Sequence, residues 1–344
     1  MANRGTYAGL QALRAIAAFF VLIQHSFYFA SVSNRVSVDW FYKLQLGTIG
    51  VFMFFVISGA VMAFSTTTDT AKKFALSRVL RIYPTYLLAL LVAGIILSLA
   101  GSAPVLSKDF SLLLIATGQL NNTFQVPYWT LIYEVQFYAV LWVAMLAGTT
   151  HYTRVWLMIG WAAVILVSGA AGIEVPVANP TLAQIVLAPV NIFFTFGYIL
   201  ASSMMTKDYL PLAVLTLIVS VTSLIFGGWP APYLGLAMLC VSAVALGISA
   251  SPKLVPSWLE NAGNSSYGLY LLHMPIISVF SPAITGWSVG AAVCLLLVIG
   301  GCAGLAFGAA DQALYQRFLK PLARDILAPI SPKNDDLPNR AGLL

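Results

Sequence analysis

The chain alternates between long apolar runs and short polar connections. Ten of these runs are about 17 to 25 residues long, which lets a helix cross the roughly 30 Å hydrocarbon core of a membrane. The pattern therefore predicts an all-α, polytopic membrane bundle of about ten transmembrane helices. A further apolar segment, Phe110–Thr117, is too short to span and is expected at the outer interface or folded back into the bundle. The ten runs are Gly9–Ala30, Gly47–Phe64, Ile82–Ala100, Trp129–Ala147, Val155–Ala171, Leu182–Ser202, Leu210–Phe226, Pro232–Ile248, Tyr267–Ala283 and Val289–Ala310.

Composition leads to the same class of protein. Of 344 residues, 60% are hydrophobic and 8% are charged, with a mean hydropathy of +0.90, whereas about a quarter of the residues in a soluble domain are charged. The net charge of +6 does not indicate nucleic-acid binding, because Lys and Arg lie between apolar runs and form no basic groove with exposed aromatic residues. The cysteines and histidines have no metal-ligand spacing, so no metal site is expected.

The positive charges are distributed unevenly between alternate connections. With a cytoplasmic N-terminus, fourteen Lys and Arg residues fall on the inner side and three, Arg35, Lys43 and Lys108, fall on the outer side. This positive-inside bias predicts that both termini are cytoplasmic. We expect residues 1–328 to form the transmembrane domain and the polar residues 329–344 to form a disordered cytoplasmic tail.

Four ionisable residues lie inside apolar runs. Arg14 and His25 are eleven positions apart, so they share one stripe of a helix, about 16 Å apart along its axis. A charge at the membrane centre costs about 2.5–3.5 kcal/mol, so such residues face a protein interior or an aqueous cavity. Counted from the ends of the runs, His25 and Glu134 lie at one level near the outer face, and Arg14 and His273 lie at an inner level. Taken singly, snorkelling of Arg14 and a structural hydrogen bond of His25 are as good an explanation as function, but their common stripe favours function, and for Glu134 a site role is favoured over structural pairing.

Two segments between the first and fourth runs have two interpretations each. Ser58 and Gly59 are typical of close helix packing, although they also permit a local break in the helix. The basic amphipathic stretch Lys72–Pro84 is either a surface anchor on anionic lipid or a cradle for phosphate groups. In the second case Arg78 and Arg81 share one helix face and donate charge-assisted hydrogen bonds.

The ninth run begins with a repeating pattern of polar rings. Tyr267, Tyr270 and His273 recur every three residues and therefore share a helix face. This face is either a hydrogen-bonded packing stripe or part of a site.

Five motifs in this order resemble the membrane-bound acyltransferase-3 family, the exopolysaccharide and lipopolysaccharide O-acetylases of bacteria. The resemblance covers most of the chain. Thr130 stands where the family has serine, which keeps the hydroxyl, and Leu319–Pro321 lacks a glutamate that members often carry there. We expect no hydrolase-like domain after the helices, which would make the chain similar to the stand-alone exopolysaccharide type. The motifs are Arg14 and His25 with ten residues between them, Phe54–Gly59, Arg78–Pro84, Trp129–Glu134 and Ser266–Pro275.

The resemblance implies an enzyme of the bacterial inner membrane that transfers an acyl group, expected to be acetyl, from cytoplasmic acetyl-CoA. The acceptor would be a hydroxyl of an exopolysaccharide, a lipopolysaccharide or a lipid-linked saccharide. Such a transfer needs a base at the hydroxyl or a nucleophile that carries the acyl group, and the imidazole of His25 suits either role. Glu134 is expected to orient that ring or to hold the acceptor. The donor-binding residues that the resemblance implies are Arg14, Ser58, Arg78, Arg81, Tyr267 and His273.

Two other classes of function stay open at this stage. One is a transporter or flippase in which the four intramembrane ionisable residues form a relay. The other is a scaffold for a polysaccharide export complex. The expected partners of an acyltransferase are acyl-CoA, a saccharide acceptor and membrane lipid, with no nucleic acid, and homo-oligomerisation is left open.

Overall fold

The computed structural model describes residues 4–102, 104, 115, 123–173, 175, 180–226 and 231–327. All regular secondary structure in this part of the chain is helical. Short 3₁₀ turns lie at Pro252–Leu254 and Ser281–Ile284, and a π-helical turn lies at Tyr315–Leu319. The α-helices are α1 (Arg4–Asn34), α2 (Asp39–Tyr42), α3 (Leu46–Thr68), α4 (Ala71–Leu99), α5 (Trp129–Leu146), α6 (His151–Ala170), α7 (Leu182–Ile185), α8 (Asn191–Thr206), α9 (Leu210–Phe226), α10 (Ala231–Ser249), α11 (Ser257–Asn264), α12 (Ser266–Phe280), α13 (Val289–Leu314) and α14 (Lys320–Leu327).

The predicted fold class, a polytopic helix bundle, is confirmed. Seven helical stretches in the described residues are long and apolar enough to cross a membrane, and α9 and Leu234–Ser249 are shorter apolar helices. The expected tail, 329–344, lies outside the described residues, as does the segment Phe110–Thr117 apart from Ile115. The seven stretches are Ala8–Asn34, Asp39–Thr68, Ala71–Leu99, Trp129–Leu146, His151–Ala170, Ser266–Ile284 and Val289–Arg324.

The sixth predicted run, Leu182–Ser202, is not one helix. It is divided into α7 and α8, and Pro189 lies in the connection between them. Proline lacks a backbone N–H and disfavours helical backbone in the residue before it, so the helix is interrupted there. The side chain of Asn191, at the start of α8, donates a hydrogen bond to the carbonyl of Ile185 at 2.7 Å and stabilises the break.

Helix α1 is the centre of the bundle, because it packs against α3, α10, α11, α12 and α13. Its contact face is built from small residues, among which Ala15, Ala17 and Ala18 are almost completely buried. Its 31 residues correspond to about 46 Å, which exceeds the roughly 30 Å of hydrocarbon core. Arg14 and His25 therefore lie on the helix that contacts the largest number of neighbours.

Helices α3 and α8 approach each other through paired glycines. A Cβ atom on Gly59 would lie 2.1 Å from the carbonyl oxygen of Phe194, and one on Gly197 would lie 1.9 Å from that of Val56. Close backbone contact through small residues is a common form of helix association in membranes. The packing interpretation of Gly59 is thus correct, and it fixes the side of α3 on which the adjacent Ser58 lies.

Candidate functional site

One cavity of about 390 Å³ lies among α1, α3, α4, α5, α11, α12, α13 and the π-helical turn that follows α13. The structure brings six of the eight predicted site residues into its lining. The other two, His25 and His273, are not among the described residues that line the cavity. The six predicted residues are Arg14, Ser58, Arg78, Arg81, Glu134 and Tyr267.

A fixed carboxylate lies on the α5 side of the cavity. Glu134 accepts a hydrogen bond at Oε1 from the Ser58 hydroxyl at 2.7 Å and a second one from the Tyr138 hydroxyl. The two donor oxygens are 3.2 Å from each other, so the three side chains form a closed cluster. Because Gly59 holds α3 against α8, the position of Ser58 follows from helix packing. The cluster aims the carboxylate at the cavity in one orientation.

Arg78 and Arg81 reach the cavity from α4. The basic stretch Lys72–Pro84 is the first half of this continuous helix. The Arg78 guanidinium lies 5.8 Å from the ring centroids of both Phe74 and Tyr138, within the range of cation–π attraction. For these two arginines, their place in a cavity wall favours the phosphate cradle over the surface anchor.

Arg81 is held by an acid and two aromatic rings. Its Nη1 lies 3.3 Å from Oδ2 of Asp311, and its guanidinium carbon lies 5.5 Å and 5.4 Å from the ring centroids of Tyr267 and Tyr315. Asp311 is only 2% exposed, and its Oδ1 accepts a hydrogen bond from the Thr85 hydroxyl at 2.5 Å. Both carboxylate oxygens are therefore engaged, and the guanidinium has a defined position.

Sequence reasoning missed two members of this site. Asp311 lies one residue beyond the expected end of the last run at Ala310, whereas α13 continues to Leu314. An acid adjoining a long apolar run was the available signal. Tyr138 follows Glu134 by four residues, the spacing that places two side chains next to each other on a helix face.

Arg14 contributes a third guanidinium to the cavity, from α1. In the described part of the chain it has neither a hydrogen bond nor an ion pair within contact distance. Its charge is attracted by Glu134 and repelled by Arg81. A cation in this state can bind an anionic or strongly polar ligand without first breaking a protein contact.

The two histidines contact each other at one side of the cavity. Nε2 of His273 lies 3.0 Å from Nδ1 of His25, and the ring centroids are 5.0 Å apart. The prediction that His273 shares an inner level with Arg14 is therefore wrong. Of the two roles expected for Glu134, orienting the His25 ring is wrong as well, since that ring contacts His273 and the carbonyl of Val21 at 3.0 Å. Levels counted from the ends of apolar runs failed because they ignore helix tilt and length.

Tyr270 connects the histidine pair with the cavity. It lines the cavity, and its ring centroid lies 5.9 Å from that of His273. Its hydroxyl forms a 2.8 Å hydrogen bond with the hydroxyl of Thr130, so the departure from serine at this position retains a functional group that the structure uses. On the predicted face, Tyr267 and Tyr270 therefore line the cavity, and His273 contacts His25.

Comparison with known proteins gives two matches. Residues 7–309 match the model of a family described as an acyltransferase domain. The protein "Acyltransferase MdmB" of Streptomyces mycarofaciens is 29% identical over 171 residues, which cover 46% of this chain and 44% of that protein. The match thus spans less than half the length of this relative. No solved structure matches the chain.

Proposed function

The chain belongs to the acyltransferase-3 family, whose model matches residues 7–309, and we propose the reaction that it catalyses. It transfers an acetyl group from cytoplasmic acetyl-CoA to a hydroxyl of an exopolysaccharide, a lipopolysaccharide or a lipid-linked saccharide. The observation that supports this most strongly is a single cavity with three arginines and a fixed carboxylate, next to a histidine pair. A multi-pass acyltransferase of this kind is expected in the bacterial inner membrane.

The charges of the cavity favour an anionic donor. Arg14, Arg78 and Arg81 outnumber the carboxylates of Glu134 and Asp311, so the site has a formal excess of positive charge. Guanidinium groups form charge-assisted hydrogen bonds to phosphates, which CoA carries on its nucleotide end. A volume of about 390 Å³ is at the small end of the roughly 300–1,000 Å³ typical of ligand pockets. It suits the pantetheine arm and a short acyl group, with the nucleotide at the cytoplasmic mouth.

The chemistry needs a group that manages one proton. In the direct route the acceptor hydroxyl attacks the thioester carbonyl, a C–O bond forms and the C–S bond breaks. His25 takes the hydroxyl proton and returns it to the CoA thiolate, so no net proton is consumed. In the alternative route a ring nitrogen of His25 attacks the thioester carbonyl, so that a C–N bond forms, the C–S bond breaks and CoA leaves as the thiolate; the acceptor hydroxyl then attacks the acyl group, the C–N bond breaks, and the hydroxyl proton balances the thiolate. Both routes place the reaction near Tyr270, where the cavity and the histidine pair meet.

Of the two roles expected for Glu134 from the sequence, holding the acceptor is the one that its contacts favour. Because its contacts are Ser58 and Tyr138, it does not orient the His25 ring. We assign it to the substrate side, where a carboxylate fixed in one orientation accepts hydrogen bonds from a sugar hydroxyl or balances the charge of Arg14.

The test is transfer of radiolabel from [¹⁴C]acetyl-CoA by the purified protein, with a panel of soluble oligosaccharides and water as acceptors. Wild type should label a saccharide or hydrolyse the thioester. His25→Ala should lower the rate by about 10²-fold or more, because a base or nucleophile is lost. His151→Ala is the matched control, since His151 is neither in the cavity wall nor in the histidine pair, and should retain activity. No release of label by wild type would overturn the proposed donor, and a His25→Ala rate above a tenth of wild type would remove His25 from the chemistry.

A further inference from the structure

We propose that His273 is a positioning residue that fixes the tautomer of His25, so that the Nε2 lone pair of His25 is the reactive atom. The tautomer follows from hydrogen-bond geometry alone. Its use in acyl transfer rests on the proposed function.

The first step is the protonation of the His273 ring. Its Nδ1 lies 2.6 Å from the carbonyl oxygen of Tyr270 and 3.2 Å from that of Leu269. Carbonyl oxygens only accept hydrogen bonds, so Nδ1 of His273 carries a proton. His273 is almost completely buried, and a buried charge without a compensating partner is costly. The neutral ring therefore presents a lone pair at Nε2.

The second step transfers this constraint to His25. Its Nδ1 lies 3.0 Å from Nε2 of His273 and 3.0 Å from the carbonyl oxygen of Val21. Both of these neighbours are acceptors, so Nδ1 of His25 must be the donor. A reversed arrangement, in which His273 donates from Nε2, would leave the Nδ1 lone pair of His25 facing the Val21 carbonyl. The contact with Val21 thus decides between the two arrangements.

The consequence is a neutral His25 with its lone pair on Nε2, the nitrogen on the far side of the ring from His273. A base and a nucleophile both need such a lone pair, so the inference holds for either route of acyl transfer. When Nε2 takes the hydroxyl proton, the Nδ1–H of the resulting imidazolium still donates to Nε2 of His273. His273 then occupies the place that a carboxylate occupies in a serine-hydrolase triad, but it contributes no charge.

The surroundings give the pair no competing charged partner among the described residues. Tyr270 contacts the His273 ring, and Glu134 binds Ser58 and Tyr138 in the cavity. Orientation of the His25 ring therefore depends on His273 and on the backbone of its own helix. The orienting histidine comes from a motif 248 residues away in sequence.

The first experiment measures the tautomer directly by ¹⁵N NMR of histidine-labelled protein in lipid. The chain has three histidines, and the signals of the third are identified by their loss in His151→Asn. We expect His25 to show a protonated Nδ1 and an unprotonated Nε2. A protonated Nε2 on His25 in wild type would overturn the proposal. This readout needs no activity, so it separates the tautomer from the proposed function.

The second experiment compares His273→Gln, which keeps an acceptor oxygen, with His273→Leu, which has none. Loss of such an outer partner costs roughly 10- to 100-fold, so His273→Leu should lower kcat by that factor with little change in the KM for acetyl-CoA. His273→Gln should recover a large part of kcat and the Nδ1–H signal of His25. Equal kcat values for the two variants, both folded by thermal unfolding, would contradict a positioning role. If the leucine variant fails to fold, the NMR spectrum of His273→Gln is compared with that of wild type. A retained Nδ1–H signal of His25 supports the proposal, and its loss in the folded variant contradicts it.

Discussion

Asp311 offers a sharp test of the donor site, because sequence reasoning gave it no role. In Asp311→Asn the side chain keeps its size and can still accept a hydrogen bond from Thr85, but it loses the charge that holds Arg81. A hydrogen bond to a charged group contributes about 1.5–3 kcal/mol, and breaking a fully buried ion pair costs about 3–5 kcal/mol. The Arg81 side chain is 21% exposed, so solvent can hydrate its guanidinium once the ion pair is broken. The cost of breaking this pair is therefore smaller than that for a fully buried pair. We therefore use the lower range.

If Arg81 binds a CoA phosphate only when Asp311 holds it, a loss of 1.5–3 kcal/mol corresponds to roughly a 10- to 150-fold weaker interaction. We expect the apparent KM for acetyl-CoA to rise by at least about tenfold in Asp311→Asn, with a much smaller change in kcat. A short pantetheine thioester without nucleotide phosphates should show little change. The measurement is initial rate against donor concentration for both donors.

The matched control is Asp208→Asn, the same chemical change at an exposed acid in the connection between α8 and α9. It should leave both KM values unaltered. An unchanged KM for acetyl-CoA in folded Asp311→Asn would show that the ion pair only stabilises the bundle and that Arg81 does not bind the donor through this geometry.

Three further outcomes follow from the packing and the cavity. Gly59→Ala should lower the midpoint of thermal unfolding in detergent, because overpacking against the α8 backbone costs about 1–3 kcal/mol. Gly160→Ala, whose added Cβ meets nothing within 4 Å, should leave the midpoint unaltered or raise it, and equal shifts in the two variants would contradict the packing argument. Arg14→Ala should weaken acetyl-CoA binding in calorimetry, and unchanged affinity would assign Arg14 to structure. Glu134→Gln should lower turnover at saturating donor, and a change confined to the donor KM would instead place Glu134 on the donor.

The hydrophobic pattern was sufficient to predict the class of fold, because bilayer thickness and backbone hydrogen bonding leave helices as the solution for such runs. The prediction failed at Pro189, where the apolar run is continuous but the helix is interrupted, because proline cannot continue the backbone hydrogen bonding of the helix. Helix ends were also short in the prediction, since α13 continues past Ala310 and so includes Asp311 in the bundle. Apolar runs report what lipid tolerates, and they do not report where a helix stops when its end packs on protein.

The sequence predicted most of the residues of the candidate site but not the contacts between them. The motifs that resembled one family converge on one cavity, and this could be expected because distant polar residues in lipid must share a common interior. The partners within the set could not be predicted. Contacts such as His25 with His273 depend on the rotation and shift of α12 against α1, which are set by side-chain packing between helices and leave no periodic signal in one sequence.

The most direct test of the central claim is the side from which the donor acts. In proteoliposomes with uniformly oriented protein, [¹⁴C]acetyl-CoA is confined either to the face predicted to be cytoplasmic or to the opposite face, and acylated saccharide is counted. The proposed function predicts product only when acetyl-CoA is on the face predicted to be cytoplasmic, because Arg78 and Arg81 lie on α4 next to connections that the positive-inside bias predicts on that face. It also predicts that removing both of these charges raises the KM for acetyl-CoA applied from that face. Equal product with acetyl-CoA confined to the opposite face would contradict a donor that enters the cavity from the cytoplasm.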